Sequence, residues 1–238
     1  MSTLSSSVIK ALLLCLLIFA SSPEAEAAAM QYLLSDAAAE QMEGLTKESD
    51  DEQRFYLDKQ WNPGKVYLVN GEVLENFLLK FDLRNLRLEI KHGNEISICH
   101  DRLYTGFEWA DSETGEVVRY VKRVQYDERG QRLGNKLFEV RFAGTEAQLL
   151  KRIELEVRTR SQVELSPYES AKELSRKESY FMLRGEELFC LHPRKAKRNY
   201  EHFGAFGRQV RSYVEDKQLE FDNPAELQQI IRYYDSLL

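Results

Sequence analysis

One stretch, Gly64 to Phe81 (GKVYLVNGEVLENFLLKF), constrains the fold of this chain more than any other, because two apolar runs rich in Val, Leu and Tyr flank the dipeptide Asn70-Gly71. Asn and Gly both tolerate the positive φ that a two-residue type I′ turn needs, and the twist of that turn matches the strands it joins. The pattern predicts a β-hairpin. Nearly everything up to about Leu191 reads as further antiparallel strands added to this pair, and the remainder as helices.

The strand readings rest on alternation. From Asn85 to Lys91, Leu86, Leu88 and Ile90 share one face and Arg87, Glu89 and Lys91 the other, which describes a strand with one side on a core and one in water. From Glu95 to His100, Ile96 and Ile98 alternate with Ser97 and Cys99. Gly106–Ala110 and Glu116–Tyr126 form a pair around Asp111-Ser112-Glu113-Thr114-Gly115, a loop whose oxygen atoms suggest calcium but whose length and spacing fit a hairpin turn. Lys136–Ala143 puts Phe138, Val140 and Phe142 on one side, and Leu149–Thr159 turns Ile153, Leu155 and Val157 inward. Ser166-Pro167-Tyr168-Glu169 has the form of a capping box with Pro at the first helical position, which predicts a short helix through about Arg176. A last hairpin, Ser179–Arg184 with Glu187–Leu191, turns through Gly185-Glu186.

After Pro193 the apolar period changes from two to 3.6. Ala196, Tyr200 and Phe203 mark a first helix that Gly204 ends, and Val210, Tyr213 and Val214 mark a second. The third has the firmest signals: Asn223 as cap, Pro224 at the start, Glu226 three residues after the cap, and an apolar face of Leu227, Ile230, Ile231, Tyr234 and Leu238. The expected fold is α+β, with an antiparallel sheet of about eight strands curled toward a barrel or sandwich over residues 55–192. A helical C-terminal subdomain, 193–238, packs on it.

The N-terminus has a different logic. A polar start with one positive charge, the apolar run Ala11–Ala20 and the small-residue sequence Ala25-Glu26-Ala27 together form the layout of a secretory signal peptide over residues 1–27. A retained signal anchor is the runner-up, although the apolar run is shorter than the roughly 20 residues a bilayer span wants. Leu12-Leu13-Leu14 before Cys15 speaks against lipidation. Residues 28–54 read as a helix or a flexible spacer, and the expected location is periplasmic or extracellular, with no transmembrane span after cleavage. The net charge of −6 makes nucleic acid an unsuitable partner.

Candidate chemistry is sparse. Cys190 and His192, two residues apart, share a strand face, whereas Cys99 and His100 point to opposite faces and cannot serve one metal or one dyad. A buried Cys190 with His192 capping the next helix is the plain reading, with a Cys99–Cys190 disulfide or a thiol or metal site as the alternatives. Arg194 to Arg211 carries Arg194, Lys195, Lys197, Arg198, Arg208 and Arg211 against a single Glu201, interleaved with Tyr200, Phe203 and Phe206. The plain reading is a solvated helix face. The functional one is a site for an anionic partner, either an envelope protein or an anionic lipid headgroup. No motif calls for a cofactor, and Gly204-Ala205-Phe206-Gly207 lacks the Lys-Ser/Thr of a phosphate loop.

The hairpin Gly64-Lys65-Val66-Tyr67-Leu68-Val69-Asn70-Gly71 and the ending from Leu219-Glu220-Phe221-Asp222-Asn223-Pro224 to Tyr233-Tyr234-Asp235-Ser236-Leu237 resemble those of a family of uncharacterised exported proteins of Gram-negative bacteria of the Bacteroidetes type. Asn76 stands where Gly is expected. The resemblance implies export and a sheet-plus-helices layout, and no activity. The expected function is therefore that of an exported, non-catalytic binding or interaction protein of the cell envelope; the alternative is a periplasmic enzyme with a pocket near Cys190 and His192.

Overall fold

A computed structural model describes residues 55–126, 129, 131–159 and 172–238; the signal peptide and spacer readings of residues 1–54 lie outside it. Among the described residues the chain forms one open antiparallel sheet of ten strands followed by three α-helices. The strands are β1 (Asn62–Leu68), β2 (Val73–Asp82), β3 (Arg87–His92), β4 (Glu95–Cys99), β5 (Tyr104–Ala110), β6 (Val117–Tyr126), β7 (Arg132–Ala143), β8 (Ala147–Thr159), β9 (Lys172–Arg184) and β10 (Glu187–Leu191). Their order is β10-β9-β8-β7-β6-β5-β1-β2-β3-β4, so the first hairpin sits inside the sheet and β5 returns to pair with its free side. The sheet has more strands than the sequence pattern predicts, and it does not close into a barrel.

The central hairpin forms, but with a different turn. Gly71 N–H donates to Leu68 O (3.2 Å) and Leu68 N–H to Glu72 O (2.9 Å), leaving a three-residue loop in which Gly71 alone takes positive φ, 89°. This is a turn followed by a left-handed glycine, not the two-residue type I′ turn. Asn76, the position where glycine was expected, has φ 66° beside the irregularity in β1–β2 pairing. Asn supplies the left-handed tolerance that glycine would.

Three further expectations are corrected. Lys172–Arg176 is strand, paired with Leu155–Thr159 in a thirteen-residue register, so the short helix does not extend to Arg176; residues 160–171 lie outside the description. Tertiary pairing with β8 overrides the local helix signal there. Leu86 is not on the inner face: it is 54% exposed at φ 53°, in a turn held by the buried Asp82 carboxylate, which accepts from the Arg84 and Asn85 amides. Val157 and Leu238 are likewise exposed, at 57% and 50%.

The helices are α1 (Ala196–His202), α2 (Gly207–Lys217) and α3 (Pro224–Asp235). On α3 the Asn223 side chain accepts from Ala225 N–H (3.0 Å), and Leu227, Ile230, Ile231 and Tyr234 are all buried. On α1 the stripe differs from its expected form. Ala196 is exposed, while Asn199 is fully buried and clamps both backbone groups of His192, accepting from its N–H and donating to its carbonyl at 2.8 Å each.

Register places one continuous inner face across all ten strands, because opposed residues in antiparallel pairs share a side. It runs from Leu88 and Phe81 through Val66, Phe107 and Tyr120 to Glu139, Lys151 and Tyr180. At the β1–β5 end this face is an aromatic core of Phe81, Phe107, Trp109 and Tyr120. At the other end Ala147, Leu149 and Met182 pack under the helices. A smaller cluster of Phe138, Leu150, Phe181 and Leu183 lies on the opposite side of β7–β9.

Candidate functional site

Between the two ends, the inner face is lined by a cavity of about 550 Å³. Alternate residues of β8 show why. Leu149 goes under the helices, Ile153 and Leu155 pack toward the aromatic core, and Lys151 falls between them. Leu137 of β7 and Leu174 of β9 continue the wall, and Leu57, Leu83 and the exposed Leu86 complete the far side. Arg176 of β9 donates to the Tyr56 and Leu57 carbonyls, tying the curled sheet back to the segment before β1. Depressions of comparable volume over Gly64 and Trp109, and beside Arg102 and Leu188, lie at the margins of the sheet rather than between its cores.

The buried charges on this face are paired. The Glu139 carboxylate, 6% exposed, meets Lys151 at 2.7 Å and Arg141 at 2.6 Å, and Lys151 also approaches Glu178 at 3.8 Å. A buried carboxylate without these partners would cost several kcal/mol. Tyr180 donates to Glu178 (3.3 Å), and burial, with Glu178 beside it, pushes its phenol up to about 12. Burial likewise raises the phenols of Tyr104 and Tyr120, so both rings are neutral wall material at any physiological pH. At the rim, Lys122 is 7% exposed and its ammonium lies 4.3 Å from the Tyr104 ring centre, while its counter-ion Asp101, at 2.6 Å, is 62% exposed. This arrangement can hold a small molecule with an apolar body.

The residues singled out from sequence lie elsewhere. Arg194, Lys195, Lys197, Arg208 and Arg211 are exposed and Arg198 half-buried, on α1, α2 and the turn before them; Arg211 pairs with Glu215 at 2.8 Å. Phe203 and Val210 on the same helices are buried, so the aromatic residues serve the core while the cations face solvent. Cys99 is buried in the aromatic core and Cys190 packs against the cluster on the opposite side of the sheet, and the two are not joined in a disulfide. Burial pushes the Cys99 thiol up to about 12, far from a reactive thiolate. His192 and His202 come close to one another, and burial first, then Arg198 and His192, lower the His202 pKa. Among the described residues no three His, Cys, Asp or Glu side chains group as metal ligands, and no helix is long and apolar enough to cross a membrane.

The cavity was missed from sequence because its wall is made of ordinary strand residues. A signal was present in the alternation Lys151, Ile153, Leu155, where one cation shares a face with apolar neighbours. The architecture defines an α+β protein with an open, curled ten-strand antiparallel sheet and a helical cap. No family model, curated protein or solved structure matches the chain.

Proposed function

We propose that this chain is an exported, non-catalytic binding protein of the cell envelope that holds a small ligand in the cavity on the inner face of the curled sheet, beside the aromatic core. The observation that carries the reading is the inner-face wall of Leu137, Ile153, Leu155 and Leu174, half-buried apolar side chains around about 550 Å³ of space, a volume in the range of small-molecule sites. Three of its cations are tied to carboxylates, Lys122 to Asp101, Lys151 to Glu139 and Arg152 to Glu154, which suits holding a ligand better than transferring protons. Export rests on the leader-like residues 1–27 and on the family resemblance.

The test is to purify the protein from its native cells, denature it and analyse the released small molecules by mass spectrometry. A compound carried by the native protein and absent from the folded Ile153→Trp variant is expected. Equal content in both, or none in either, would overturn the cavity as the binding site.

A further inference from the structure

The cavity's chemistry is uneven from floor to rim, and the unevenness selects a ligand class. The floor's buried charges, Glu139 and Lys151, neutralise each other at 2.7 Å and give no preference for a charged head. Its apolar wall combines aliphatic Leu137, Ile153, Leu155 and Leu174 with the rings of Phe81, Tyr104 and Tyr120. The rim differs in two ways. Leu86 is held at φ 53°, a conformation a Leu side chain rarely adopts, and is left 54% exposed at the opening. A strained, exposed apolar residue held in place by a buried Asp82 points to a contact that water does not provide. Beside it are two cations. Lys122 is anchored against Tyr104 and by the Tyr104 carbonyl at 3.3 Å, whereas its carboxylate partner Asp101 lies mostly in water. An anion that replaces the Asp101 carboxylate keeps this buried ammonium neutralised, while the Asp101 and Tyr104 carbonyls hold it in place. Arg84, over the Phe55 ring at 4.7 Å, adds a second positive group at the same opening.

We infer that the cavity takes a single-chain amphiphile with an anionic head, its alkyl chain along Leu137, Ile153, Leu155 and Leu174 and its head beside Arg84 and Lys122. This assignment rests on the proposed binding role of the cavity and names the ligand class. The alkyl chain removes aliphatic surface from water on both partners, and the head replaces Asp101 as the partner of Lys122. A free carboxylate and the phosphate of a one-chain phospholipid share this chemistry.

Titration calorimetry of the full mature chain separates the alternatives, with laurate, 1-lauroyl-lysophosphatidylglycerol, dodecanol and dodecylamine as probes. Both anions are expected to bind, with dodecylamine at least ten-fold weaker. The tighter of the two anions identifies a free-acid or a lipid source. Leu86→Asn, which tolerates the left-handed turn, is expected to weaken laurate about ten-fold, as is Arg84→Gln combined with Lys122→Gln; Ile153→Trp abolishes binding. Circular dichroism melts confirm that each variant is folded. Dodecylamine binding as tightly as laurate, or a folded charge variant that binds laurate as well as the native chain, overturns the anionic head. Failure of every probe overturns the ligand class. It leaves the cavity reading standing if native purification still yields a compound that Ile153→Trp loses, and that reading falls with it if no such compound appears.

Discussion

At the β1–β5 end of the sheet, the inner face buries itself. Phe107 lies 4.8 Å from Tyr120 and 5.0 Å from Trp109, centre to centre, and the curl of the sheet brings Ile153 and Leu155 of β8 toward the same cluster. At the β8–β10 end the same face carries Ala147, Leu149 and Met182, edged by Phe142, Tyr180 and Phe189, and it is buried by α1–α3 instead. The helices are latched there by one carboxylate: Asp235 at the end of α3 accepts from the Thr145, Glu146 and Ala147 amides at 3.1, 2.8 and 2.7 Å. One sheet face is thus closed by two devices, large aromatic rings and an added layer. The cavity lies beside the first device, with Phe81, Tyr104 and Tyr120 in its lining and no residue of α1–α3.

The contrast can be broken most severely from the helical side. Tyr234 is fully buried, lies 4.9 Å from the Phe203 ring and accepts a hydrogen bond from Arg184 at 3.0 Å. Tyr234→Ala should cost about 4 kcal/mol, comparable to other buried aromatic truncations. Hydrogen exchange should then show amides of α1–α3 losing protection before those of β1–β5. Simultaneous loss at both ends would mean the two cores are one cooperative unit. Asn199→Leu removes both bonds to His192 while keeping volume, and chemical denaturation should report a loss of about 3 kcal/mol for two buried backbone groups left unpaired.

A smaller effect is expected at the latch. Burial alone would raise the Asp235 pKa, but the Ala147, Glu146 and Thr145 amides outweigh it and hold the carboxyl below its ordinary range. Its contribution is therefore fully present above the unfolded value of about 4 and is lost as pH falls through the lower folded value. Asp235→Ala should lower stability by about 1 kcal/mol at neutral pH, kept small by the carboxylate's exposure, and should flatten that acid limb in thermal melts at pH 2–5. Gly144→Ala probes the same contact without touching charge, since a Cβ there would lie 2.4 Å from the Asp235 carboxylate. It should reproduce the loss at pH 7. The smallest effect belongs to the exposed cations: reversing Arg194, Lys195 and Lys197 to Glu should change stability by less than about 0.5 kcal/mol and leave laurate binding unaltered. Loss of laurate binding in that variant would move the ligand site from the cavity to the helices.

Much of the architecture was legible in the residues. The Asn70-Gly71 turn marked the first hairpin and alternation marked β3, β4, β7 and β8, although the expected total was about eight strands, and Asn223-Pro224 with the Leu227, Ile230, Ile231, Tyr234 face located α3 to within a residue or two. Local chemistry suffices there because capping and half-burial leave a periodic record. It failed at Leu86, where a buried carboxylate four residues upstream sets the backbone, and at Lys172–Arg176, where a partner strand competes with a helix signal. The basic stretch Arg194–Arg211 was conspicuous as composition, yet the cavity lies on other elements. What the sequence by itself determined is the set of elements and which side of each is apolar, since those follow from spacing along one chain. Only the tertiary structure decided that Lys151, Leu137 and Leu86 border one space, because that depends on how far a ten-strand sheet curls back toward the β2–β3 turn and the segment before β1, a quantity set by packing between residues distant in the chain.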